Sequence, residues 1–120
     1  VYNTAKTGGT VPDLVAWLVR DEHMGETVGG LYGRVFFQWF YIELLVVPEQ
    51  ARGQGTGSTL MQMAEDFARE KNCVGMWLDT FDFQAPAFYR QLGFTEIGQI
   101  DDYPPGHQRF FFQKRLSQTE

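Results

Sequence analysis

The stretch Val46-Val47-Pro48-Glu49-Gln50-Ala51-Arg52-Gly53-Gln54-Gly55-Thr56-Gly57-Ser58 constrains the fold more than any other part of the chain. A run of β-forming residues ends in a basic, glycine-rich turn, and an amphipathic helical pattern follows at once. That order leaves backbone N–H groups unpaired at a helix N-terminus beside an arginine, and such a terminus holds phosphate. Gly53, Gly55 and Gly57 let the backbone approach a ligand where a Cβ would intrude. The segment therefore reads as a diphosphate-binding turn.

Three kinds of diphosphate site compete for it. A P-loop needs Gly-Lys followed by Ser or Thr at the helix start, and this turn has no lysine. A dinucleotide fold needs G-x-G-x-x-G and an acidic residue roughly 20 positions on; here the glycines run G-x-G-x-G. The third pattern is Gln/Arg-x-x-Gly-x-Gly/Ala, and Gln50-Ala51-Arg52-Gly53-Gln54-Gly55 matches it. That is the acetyl-CoA turn of the GCN5-related N-acetyltransferases (GNAT), which the chain resembles. Phe88-Tyr89-Arg90-Gln91-Leu92-Gly93-Phe94 resembles the family's second signature, a tyrosine on a short helix followed by Leu-Gly-Phe. An apolar strand, Val74 to Leu78, lies between the two. The resemblance spans about Tyr2 to Leu116. Leu78-Asp79-Thr80-Phe81, Phe83-Gln84-Ala85-Pro86 and Tyr103-Pro104-Pro105-Gly106-His107 are similar to small bacterial acetyltransferases of unassigned substrate.

The 120 residues suffice for one domain, expected over 13–120 after a polar, glycine-containing arm over 1–12. Eleven phenylalanines supply a core. The formal charge of −5 comes without a basic run, which argues against nucleic acid as a partner and mildly favours a cationic substrate. The single cysteine, Cys73, has no partner for an internal disulfide and fits a reducing cytoplasm. It reads as a small, half-buried residue after a helix. No signal peptide or membrane span is visible, so a cytoplasmic location without membrane attachment is expected. The spacings of His and carboxylates suggest no metal site.

Strands are expected at Leu14 to Arg20, Thr27 to Phe37, Trp39 to Val47, Val74 to Thr80, Thr95 to Ile100 and Arg109 to Arg115. A helix is expected from about Gly55 to Lys71, with Leu60, Met63, Ala64, Phe67 and Ala68 on its buried face. A second, Gln84 to Leu92, has Pro86 in its first turn and stops at Gly93. The class is α+β. The resemblance implies the GNAT fold, a mixed and mostly antiparallel sheet splayed at the cofactor site. Its opening strand and helices look absent or shortened here, which would expose apolar surface for a partner subunit, expected to be a second copy.

The activity implied by the resemblance is acetyl transfer from acetyl-CoA to an amine of a small molecule or peptide. The amides of Leu45, Val46 and Val47 would pair with the pantetheine arm, and Arg52, Gly53, Gln54, Gly55, Thr56, Gly57 and Ser58 would take the pyrophosphate. Gln84 and Phe88 would flank the arm. Tyr89 holds the position of the family's general acid. Asp79 and Glu43 are the candidate carboxylate bases, and Glu43 amid apolar strand neighbours needs either a partner or a purpose. His107 is a third base candidate and, with Trp39 and Tyr41, a candidate for contact with the acceptor. The competing readings are a CoA-binding module without catalysis and, disfavoured by the glycine spacing, a dinucleotide-binding protein.

Overall fold

The structure, a computed structural model, describes residues 13–20 and 25–116; the proposed arm over 1–12 lies outside them. In chain order the elements are β1 (Asp13–Arg20), β2 (Thr27–Phe36), β3 (Trp39–Val46), α1 (Thr56–Glu70), β4 (Gly75–Phe81), α2 (Pro86–Gln91), β5 (Thr95–Asp101) and β6 (Gln108–Arg115). The strands form one six-stranded sheet in the order β1-β2-β3-β4-β6-β5. Every pairing is antiparallel except β3–β4, which α1 bridges as a crossover. This is the mixed α+β sheet expected from the sequence. A 3₁₀ turn over Glu49–Ala51, which the sequence reading lacked, leads β3 into the glycine turn.

Two-residue alternation decides what each strand buries. Phe40 and Ile42 of β3, Met76 and Leu78 of β4, and Phe112 of β6 are at most 4% exposed and form the floor under α1. Trp17 of β1 meets Phe67 of α1 edge to face at 5.5 Å. The buried side of α1 is Leu60, Met61, Ala64 and Ala68. Met63, expected in that set, is 41% exposed and Met61 replaces it. At about 100° per residue the buried arc runs from Leu60 to Met61, and Met63 falls beyond Leu60 on the outer side. Cys73, expected half-buried, is 1% exposed, and burial pushes its thiol above the ordinary range.

Both helices end in a Schellman motif. After α1, Asn72 takes φ +60°, its N–H bonds Arg69 O, and Cys73 N–H bonds Ala68 O. After α2, Gly93 takes φ +94°, its N–H bonds Arg90 O, and Phe94 N–H bonds Tyr89 O. The Leu92-Gly93-Phe94 sequence thus has a mechanical meaning. Glycine supplies the left-handed step, and Phe94 folds back so that its ring lies 6.2 Å from that of Tyr89. Lys114 of β6 adds a polar tie, with Nζ donating to Glu65 Oε1 of α1 at 2.7 Å and to Leu92 O at 2.9 Å.

Candidate active site

The parallel β3–β4 ladder runs from Trp39↔Gly75 to Ile42↔Leu78 and stops there. Beyond it β3 continues to Val46 and β4 to Phe81 without pairing to each other. A bulge accompanies the separation: Gly33 pairs with Ile42 and Tyr32 with Leu44, so Glu43 is the extra residue. The bulge also reverses the alternation, turning Leu45 toward the helices and leaving Leu44 50% exposed and Val46 38% exposed. A cleft of about 790 Å³ occupies the gap, running from the glycine turn to Phe83 and Gln84.

The glycine turn forms one end. Gly53 and Gly55 take φ +79° and +77°, and a Cβ on either would meet no atom within 4 Å, so backbone conformation demands glycine there. Gly57 has a different reason: a Cβ would lie 3.2 Å from Phe88 Cζ and 3.4 Å from Val47 Cγ2. Helix α1 starts at the Gly55 N-cap with no side-chain cap and no acidic residue in its first turn. Its first N–H groups are therefore available to an anion. Arg52 donates its Nε to Val47 O at 3.2 Å, which holds the guanidinium beside those amides. The donor set fits a diphosphate.

The other end carries the chemistry-bearing side chains. Tyr89 projects from α2 between the rings of Phe88 at 5.1 Å, Phe94 at 6.2 Å and Phe112 at 6.4 Å. It lines the cleft, and its hydroxyl has no hydrogen-bond partner among the described residues. Burial raises its pKa above 10.0, so it stays protonated at neutral pH. Asp79 lines the opposite wall. Its Oδ2 accepts from the Tyr41 hydroxyl at 3.0 Å, and its Oδ1 accepts from Arg109 Nε at 3.1 Å and Nη2 at 2.9 Å. Burial, then the Asp79 hydrogen bond and charge, push the Tyr41 phenol up to about 12. The Arg109 guanidinium is itself held over the rings of Tyr103, Phe111 and Phe81 at 4.9, 5.2 and 5.7 Å. Glu43 also lines the cleft, with Oε1 3.1 Å from Arg34 Nε and its side chain 43% exposed.

The two groups come from opposite faces of the sheet. Tyr89 and the N-terminus of α1 stand on the helical side. Glu43, Tyr41 and Asp79 stand on the other, where Tyr41 stacks on Trp77 at 4.1 Å. The cleft passes through the sheet and brings Tyr89, Glu43 and Asp79 onto one void.

Of the residues expected at the cofactor, Leu45, Val47, Arg52, Gly53, Gly55, Gly57, Ser58, Gln84 and Phe88 line the cleft. Val46, Gln54 and Thr56 do not. Val46 pairs with Gly30 of β2, and Thr56 closes the turn by donating to Ala51 O at 3.3 Å. The Gln84 carbonyl oxygen already accepts from Thr80 Oγ1 at 2.8 Å and Phe81 N at 2.9 Å. Trp39 and Tyr41 lie in a separate aromatic hollow with Arg34, Phe36, Phe37 and Trp77. His107 sits outside the cleft lining, with its Nδ1 3.1 Å from Asp82 Oδ1. Sequence reasoning missed Phe83, Asp82 and Arg109. The signal for Arg109 is the β4–β6 register, which sets it opposite Phe81 and diagonal to Asp79.

The comparisons with known proteins agree with this fold. Residues 7–94 match the model of the Acetyltransferase (GNAT) family. The chain is 46% identical over 93 residues to the blasticidin-S acetyltransferase of Streptomyces morookaense, covering 77% of this chain and 68% of that protein. It is 36% identical over 115 residues to an acetyltransferase of Agrobacterium fabrum, covering 96% of this chain and 83% of that one. The crystal structure of an acetyltransferase from Bacillus cereus superposes with a TM-score of 0.81 at 41% identity, over 88% of this chain and 74% of that one. The chain belongs to the GNAT family and is an acetyl-CoA-dependent N-acetyltransferase.

Proposed function

We propose that this chain acetylates the primary amine of a small cationic molecule by direct attack, with Glu43 as base and Tyr89 as acid. The observation that carries the proposal is that a protonated, unpartnered phenol and a partly free carboxylate reach one cleft from opposite faces of the sheet. Acetyl-CoA supplies the activated acetyl group. The α1 amides and Arg52 bind its phosphates, and the β3 amides past Ile42 orient its arm by strand addition. The amine, of pKa about 10, arrives as an ammonium from the open face. Glu43 takes its proton through the oxygen that Arg34 leaves free. The N–C bond forms, the C–S bond breaks and Tyr89 donates its proton to the leaving thiolate, while the second proton that the nitrogen sheds on becoming an amide passes through water to restore the Tyr89 phenol. Asp79 has both oxygens engaged, so its part is to fix Tyr41 and the wall of the cleft rather than to collect a proton.

The blasticidin-S acetyltransferase relative and the excess of carboxylates over basic residues support a small cationic acceptor. The test is thiol release from acetyl-CoA with blasticidin S, spermidine and an alanine-initiated peptide as amines. Turnover with a small amine is expected. Turnover confined to the peptide overturns the substrate class. Acetyl-CoA binding with no turnover on any amine, and none gained or lost in Tyr89→Phe, favours the non-catalytic module instead.

A further inference from the structure

The loop between β5 and β6 carries a pairing that the transfer chemistry above does not use. His107 Nδ1 lies 3.1 Å from Asp82 Oδ1 and 3.3 Å from Oδ2. The register makes this pairing repeatable, because Asp82 N–H also bonds Gln108 O at 3.0 Å and holds the two segments together. The imidazole meets the ring of Phe83 edge-on at 5.1 Å, and Phe83 lines the cleft while remaining 58% exposed. Phe83 in turn lies parallel to Phe81, with ring centroids 5.2 Å apart and planes 6° apart. A histidine, a carboxylate and an aromatic shelf therefore stand together at the mouth of the cleft.

A carboxylate only accepts hydrogen bonds, so Nδ1 must carry the proton. Nε2 of the neutral ring is then left with its lone pair and has no partner among the described residues. A lone pair beside an exposed π-face suits a group that is all donor, an ammonium. We infer that His107 Nε2 receives the acceptor's ammonium at the cleft mouth over Phe83, and that Asp82 is a positioning residue that sets the tautomer. This inference deepens the transfer reading and rests on it for the identity of the acceptor.

The test uses the ¹⁵N spectrum of the imidazoles together with turnover. The chain has two histidines, His23 and His107, so assignment needs one substitution. In the wild type with a neutral ring, His107 is expected to show Nδ1 protonated and Nε2 bare. Asp82→Ala is expected to give a ring with Nε2 protonated, and Asp82→Asn to retain the wild-type form through its side-chain carbonyl. With spermidine as the probe amine, Asp82→Ala is expected to raise KM several-fold at nearly constant kcat, and Asp82→Asn to stay close to wild type. Neither variant should alter the Kd of acetyl-CoA. A wild-type His107 protonated on Nε2, or an Asp82→Ala ring indistinguishable from wild type, overturns the inference. A wild-type chain that releases no thiol with spermidine counts against the transfer reading, and the His107 Nε2 resonance then decides this one: a shift on adding spermidine upholds the contact and an unmoved resonance overturns it.

Discussion

Replacing Lys114 by Met tests whether the polar tie between α1, α2 and β6 holds the helix that carries Tyr89 in place. Met keeps most of the aliphatic stem, so the loss is that of the ammonium. Two hydrogen bonds go, to Glu65 Oε1 at 2.7 Å and to Leu92 O at 2.9 Å. Bonds to charged groups contribute about 1.5–3 kcal/mol each. With the Lys114 side chain 26% exposed, the lower end applies to both, and about 3 kcal/mol is expected to be lost. Glu65 keeps Arg69 as a partner at 3.0 Å, so no carboxylate is orphaned. At roughly 4 °C per kcal/mol for a domain of this size, the thermal midpoint should fall by about 12 °C. Calorimetry or circular dichroism reads this directly. A fall of less than about 3 °C would refute the reasoning. The acid limb carries a second reading. Burial pushes the Glu65 carboxyl up, but the hydrogen bonds and charges of Lys114 and Arg69 outweigh it and leave the pKa below 4.5. A depressed folded pKa gives stability that is full above the unfolded value and is lost as pH falls through the folded one. The wild type should therefore lose stability below about pH 4.5, and Lys114→Met should lose less over that interval.

Other perturbations have equally definite outcomes. Gly93→Ala forces a side chain to φ +94° and sets its Cβ 3.4 Å from Lys114 Cε, so it should cost about 2 kcal/mol and lower kcat through displacement of Tyr89; an unchanged midpoint in thermal melts would refute this. Gly55→Val places a β-branched residue at φ +77° in the turn and should weaken acetyl-CoA binding at least tenfold by calorimetry, whereas equal affinity would remove the glycine turn from the donor site. Arg34→Leu frees Glu43 from its ion pair with Arg34 and should alter acceptor KM while leaving acetyl-CoA affinity intact, as read from steady-state and binding assays.

The elements and the phosphate turn were legible because their signals are local. Glycine at positive φ, the proline in the first turn of α2 and the strand–turn–helix order each act within a few residues. What escaped depends on register. The extra residue at Glu43 exists only relative to β2, and it decides that Leu45 rather than Val46 turns inward. Read alone, Asp79 shows no partner. Its partners Tyr41 and Arg109 stand 38 and 30 positions away in sequence and meet it only across the sheet. Asp82 and His107 are separated by 25 positions and are joined in the same way. The Met61-for-Met63 exchange has another source: the buried arc of a helix is set by where the sheet touches it, and a mean period fixes only its width.

The central claim is that Tyr89 donates the proton to the leaving thiolate in a cleft assembled independently of its hydroxyl. The most direct measurement is Tyr89→Phe, with the Kd of acetyl-CoA by calorimetry and kcat by thiol release determined on the same preparation. The account predicts an unchanged Kd and a kcat lower by at least about 100-fold. Equal kcat in the two proteins, or a Kd that weakens in step with kcat, would contradict it.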